Sequence, residues 1–203
     1  MPVQLAALSE FTLGVTWEVA EAATRTSHAI RDDHGRVWLV DPVDHPDALA
    51  RVAELGAPAA VLQLIDRHNR DCAAIAQRLG VPHVMVPDAV PDSPFQAIAV
   101  LRMKRWRETA LWWAERGVLV VPEAIGTAEV FTAGGHGAVG MHPILRLRPP
   151  AALRGYAPEH LLCGHGPPVH GAAAREGIEW SYAHARSDIP RLLASLPRLV
   201  RGG

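Results

Sequence analysis

The sequence predicts an α/β (α+β) fold, a sheet covered by helices. Two observations carry this. Between residues 36 and 86, apolar runs alternate with amphipathic segments through short connections, a β-α-β-α-β order. The composition, 49% hydrophobic with a net charge of −1 over 203 residues, is that of a globule with a sizeable core.

The elements follow in order. Residues 11–19 alternate loosely and read as a strand. Residues 27–30 and Arg36–Val40 read as a hairpin about Asp33-His34-Gly35. Residues 45–55 place Ala48, Leu49, Val52 and Leu55 at helical spacing, with Gly56 as the stop. Residues 60–65 form a short apolar run, read as a buried strand. Asp71 precedes a helix over Cys72–Leu79, ended by Gly80, and 82–86 is the next strand. Residues 97–101 are an apolar run; 109–113 and Val118–Val121 are adjacent strands joined at Glu115-Arg116-Gly117. Residues 133–139 are a glycine-rich loop, and 143–155 a basic connection with short helix. His160–Cys163 is a last strand, and 171–200 is helical, broken near Pro190.

The near-neutral charge gives no electrostatic case for nucleic acid or an anionic membrane. No apolar stretch reaches the roughly 20 residues that span a bilayer. Residues 1–13 lack a basic segment followed by an apolar run, so no signal peptide is expected and a cytoplasmic location is the default. Cys72 and Cys163 make no disulfide framework. One domain over residues 1–203 is expected.

Two stretches carry the chemistry: Asp66-Arg67-His68-Asn69-Arg70-Asp71-Cys72 and Cys163-Gly164-His165-Gly166-Pro167-Pro168. With Val37-Trp38-Leu39-Val40-Asp41-Pro42 and Gly117-Val118-Leu119-Val120-Val121-Pro122-Glu123, in this order, the chain resembles the metallo-β-lactamase superfamily. The resemblance implies a four-layer αββα sandwich with its site at one end, where the loops meet. It also implies a dinuclear metal centre. Against the family's His-x-His-x-Asp-His loop, Arg67 and Asn69 stand at the first two histidines, Asp71 is kept and Cys72 replaces the last histidine. Lys104 falls near the third histidine of the first metal, Glu123 at the bridging aspartate, and His165 at the last ligand.

Arginine offers no lone pair and lysine is ordinarily protonated, so Arg67, Asn69 and Lys104 leave the first metal position without ligands. Asp71, Cys72, Glu123 and His165 are acceptable ligands for one zinc. The reading that follows is a fold that has lost its dinuclear centre and serves binding, assembly or an atypical activity, without cofactor. In it Arg67 and Lys104 supply positive charge where a metal would have been. The alternative is a single-zinc hydrolase of an ester, thioester or amide using Asp71, Cys72, Glu123 and His165. A further alternative is metal-free catalysis by Cys72 at a helix N-terminus, assisted by Arg67. The expected partners are a small molecule or a second copy of the chain, as in a homodimer.

Ordinary roles stand beside these. Asp71 fits an N-cap, and both cysteines fit the core. His68 suits solvent or a place behind the ligands. His136 and His142 read as solvated loop residues, with a lid as the alternative. Trp106, Trp112 and Trp113 suit either an aromatic wall or packing.

Overall fold

The computed structural model describes residues 4–20, 24–67 and 70–201, with side chains through Ser195. Among these, β1 (Leu5–Phe11), β2 (Gly14–Val19), β3 (Arg25–Arg31), β4 (Arg36–Val40), β5 (Ala57–Gln63) and β6 (His83–Met85) form one sheet in chain order. Helices α1 (Pro46–Leu55) and α2 (Cys72–Leu79) are its crossovers: β4 pairs parallel with β5, and β5 with β6. The second sheet has the order β13-β12-β9-β8-β7, from β7 (Gln96–Met103), β8 (Trp106–Trp113), β9 (Val118–Val121), β12 (His160–Cys163) and β13 (Val169–His170). A short ribbon, β10 (Ile125–Gly126) and β11 (Gly140–Met141), stands apart. Helices α3 (Ala172–His184) and α4 (Ile189–Arg201) end the chain. No helix among the described residues is long and apolar enough to cross a membrane.

Three apolar clusters define the layers. Val15, Trp17, Leu39 and Val61 pack under Ala48 and Val52 of α1 and Ile75 of α2. Ile30, Trp38, Val40 and Leu62 meet Leu111, Trp113, Val120 and Leu162 between the two sheets. Leu119, Val121, Leu161 and Cys163 pack under Ala174 and Ile178 of α3. Strand side chains alternate between faces, so each inner strand feeds two clusters: Trp38 and Val40 face the other sheet while Val37 and Leu39 face the helices. The αββα sandwich follows from that alternation on both sheets.

Differences from the sequence reading have local causes. Residues 11–19 are not one strand: the chain turns at Thr12-Leu13, and β1 pairs antiparallel with β2. The break before α4 lies at residues 185–188, and Pro190 sits in the helix's first turn, where its missing N–H is tolerated. Residues 57–59 extend β5 because they pair with β4.

Candidate functional site at the loop end of the sandwich

The loops after β4, β5, β9 and β12 meet at one end of the two sheets. Asp41 ends β4 with φ +45°, a left-handed conformation that aspartate tolerates better than most residues. Its Oδ1 accepts from the Leu64 N–H at 3.0 Å, drawing the end of β5 inward. The chain then crosses to the second sheet, where Thr109 N–H donates to the Leu64 carbonyl at 2.9 Å and Arg107 N–H to Asp66 Oδ1 at 2.8 Å.

Arg70 follows, and it is buried. Its guanidinium donates to the carbonyls of Thr26, Asp41 and Gly164. Burial pushes its pKa down, opposed by the negative charge of Asp41. The sequence reading assigned the local positive charge to Arg67 and Lys104, and the structure corrects this. Lys104 is exposed at the β7–β8 turn, and Arg67 is exposed with its guanidinium 4.4 Å from the Trp106 ring centroid. His68 and Asn69 lie outside the described residues.

Glu123 and His165 do come together. His165 Nε2 lies 3.0 Å from Glu123 Oε2, and its Nδ1 lies 3.0 Å from the Thr24 carbonyl. A carbonyl only accepts, so Nδ1 carries a hydrogen, and a second proton lies on the Nε2–Oε2 line. The other oxygen, Oε1, is 3.2 Å from Nε2 of His142. His142 Nδ1 accepts from the Ile144 N–H, so Nε2 bears the hydrogen and donates to Glu123. The ring of Phe131 stacks on His165 at 5.5 Å and meets His142 edge-on at 5.5 Å.

Glu108 lies behind this group, fully buried. Its Oε1 accepts from the Ala124 N–H at 2.8 Å and the Glu123 N–H at 3.2 Å, and its Oε2 from Trp106 Nε1–H at 2.9 Å. Burial raises its pKa to about 7 against those three donors.

Asp71 lies on the surface, and Cys72 lies in the core within electrostatic reach of Asp41 and Arg70. Asp71 is exposed; it occupies the N-cap position of α2 without capping it, and Oδ2 accepts from the Asp44 N–H at 2.8 Å. Cys72, the first residue of α2, is in the core cluster with Val61 and Ile75, and burial pushes its thiol pKa upward. Among the described residues, no three or more His, Cys, Asp or Glu are placed to hold a metal ion. Of the expected zinc set Asp71, Cys72, Glu123 and His165, the structure brings Glu123 and His165 into contact. His142 does not complete a ligand set, because a metal-binding imidazole donates from its far nitrogen whereas that of His142 accepts. Of the two imidazoles on Glu123, His165 has the polarity of a ligand and His142 does not.

The sequence reading missed four groups here. His142 was read as solvated, but its side chain is only 13% exposed. The pairing of Ile125 with Met141 carries it next to Glu123, and nothing in the sequence announces a two-residue ribbon. Glu108, Phe131 and Arg70 were missed as well. The available signal for Glu108 was a carboxylate in a strand that is otherwise rich in tryptophan and apolar residues, though Arg107 and Thr109 flank it.

No family model and no curated protein matches the chain. Solved structures do. It is similar to an NDM_FIM-1 like metallo-β-lactamase from Erythrobacter litoralis in its mono-zinc form, at 12% identity and TM-score 0.58 over 89% of this chain and 96% of that one. It is similar to the DIM-1 metallo-β-lactamase, at 8% identity and TM-score 0.57 over 92% and 99%. It is also similar to rubredoxin oxygen:oxidoreductase from Desulfovibrio gigas, at 14% identity and TM-score 0.54 over 80% of this chain and 54% of that one. The chain has the metallo-β-lactamase superfamily fold, and identities this low carry the fold alone.

Proposed function

On this metallo-β-lactamase fold, we propose a binding role in place of two-metal hydrolysis. The observation that supports it is the Glu123 carboxylate, which meets imidazole nitrogens of His142 and His165 at hydrogen-bond distance on its two oxygens. Protons hold these side chains together where the family resemblance places a bridging acid and a terminal ligand. Arg70 adds a buried positive charge, and the negative charges of Asp41 and Glu123 help keep it protonated. A fixed cation and two imidazole N–H groups satisfy the carboxylates that a metal pair would otherwise neutralise.

Metal analysis of chain produced in medium containing zinc and iron and purified without chelator tests the reading. Well under one ion per chain is the expected result, and two ions per chain would overturn it. A second reading draws on the Nδ1–H of His165 donating to Thr24, which is the polarity of a metal-binding imidazole. One equivalent of zinc, lost in His165→Ala, would establish that single-metal form instead.

A further inference from the structure

We infer that the cleft beside Trp106 binds an anionic amphiphile, a carboxylate carried on an alkyl or aromatic body. This names the ligand class for the binding role and rests on that reading. A cleft of about 620 Å³ is lined by Arg67, Met103, Lys104, Arg105, Trp106 and Ile144. Two chemistries meet in it. Met103 is 47% exposed and Ile144 69% exposed, so two large apolar side chains from separate turns face solvent across one depression. Around them stand Arg67, Lys104 and Arg105, all exposed, with no carboxylate among the residues that line the cleft.

A chain of net charge −1 that gathers three exposed cations around apolar side chains presents a local face that suits a ligand with an anionic end and an apolar body. A neutral hydrocarbon would leave the cations unused, and a purely polar anion would leave Met103 and Ile144 in water. The Arg67 guanidinium rests 4.4 Å from the Trp106 ring centroid, which keeps its fork at the edge of the cleft where a carboxylate would meet it. Trp106 also touches the His142 ring at 4.9 Å between centroids, which puts the cleft one ring away from Glu123.

The test is titration of the full chain with decanoate, decanol and decylammonium, read by calorimetry and tryptophan fluorescence. Decanoate binds, decylammonium does not, and decanol binds at least about tenfold more weakly than decanoate. The triple variant Arg67→Gln, Lys104→Gln, Arg105→Gln weakens decanoate binding about tenfold, as expected from three exposed charge contacts of modest size. Ile144→Ser weakens decanoate and decanol alike. All four substituted residues are exposed, so folding is retained and is checked by circular dichroism. Equal binding of decanoate and decanol, or no change in the triple variant, overturns the inference. Binding to phosphatidylglycerol vesicles without binding of monomeric decanoate also overturns it, assigning the face to a membrane surface. Two metal ions per chain with decanoate still bound would sink the metal-free reading and leave the cleft. A metal-free chain indifferent to decanoate would do the reverse.

Discussion

Arg70 Nη2 donates to the carbonyl of Gly164 at 2.9 Å, joining two loops 94 residues apart. The same guanidinium reaches the carbonyls of Thr26 and Asp41. One buried side chain thus gathers the ends of β3, β4 and β12 and the entry to α2.

Replacing Arg70 is therefore a stability experiment. Arg70→Ala removes a charged donor from three carbonyls, of which Asp41 keeps Ser27 Oγ–H and Gly164 keeps the Thr26 N–H, and is expected to lower the unfolding free energy by about 3 kcal/mol. Lysine recovers only part of this, because one ammonium cannot reproduce the fork. Arg67→Ala loses an exposed cation–π contact and costs under about 1 kcal/mol. Urea unfolding with matched slopes checks the contrast, and equal losses at the two positions would refute it.

The glycines flanking His165 are set by space. A Cβ on Gly164 would lie 2.2 Å from the Pro122 carbonyl oxygen, and one on Gly166 2.3 Å from the Ala128 nitrogen, with φ +89° besides. Gly164→Ala is expected to cost about 2–3 kcal/mol through backbone displacement. Gly155→Ala has open space around it and pays only for its left-handed backbone, about 1 kcal/mol. Thermal unfolding midpoints of the two variants should separate in that order.

Two buried groups set opposing pH dependences. His28 accepts from Thr16 at Nδ1 and donates to the Cys163 carbonyl from Nε2, tying β3 to β12. Burial pushes its pKa down from 6.5 to about 3, and the charge of Arg70 adds to this. The unfolded chain takes up that proton first, so His28's contribution to stability is full above about pH 6.5 and is lost as pH falls toward 3. Glu108 runs the other way. Its pKa rises from 4.5 to about 7, so its contribution is full below 4.5 and is lost as pH rises through about 7. His28→Gln should flatten the acid limb of a stability–pH curve, and Glu108→Gln the limb approaching neutrality. Urea midpoints across pH 3–8 measure both, and unchanged limbs would remove the assignments.

Cys72 and Cys163 are both fully buried, and burial raises both thiol pKa values. Neither thiol should react with an aromatic disulfide reagent in the native chain, and both should react in denaturant. Rapid native labelling of Cys72 would revive a nucleophilic role for it.

The layered fold was legible where period and length agreed. Ala48, Val52 and Leu55 at helical spacing mark α1, and the left-handed Gly80 ends α2 where the sequence placed its stop. The run at 60–65 and Val118–Val121 read as buried strands because both faces are covered. The turn at Thr12-Leu13 was not legible, because neither residue carries a strong turn preference.

The sequence by itself determined the residue types in these loops, and hence that Arg67 and Lys104 offer no lone pairs. Only the tertiary structure decided which groups meet. Whether Cys72 faces the site or the core depends on how α2 rotates over its sheet, and packing with Val61 and Ile75 turns it inward. His142 reaches Glu123 only through the pairing of Ile125 with Met141, and Arg70 finds its carbonyls only once β3, β4 and β12 are side by side. Ligand chemistry is local to a residue, but hydrogen-bond partnership depends on long-range packing, and a single sequence records the first without the second.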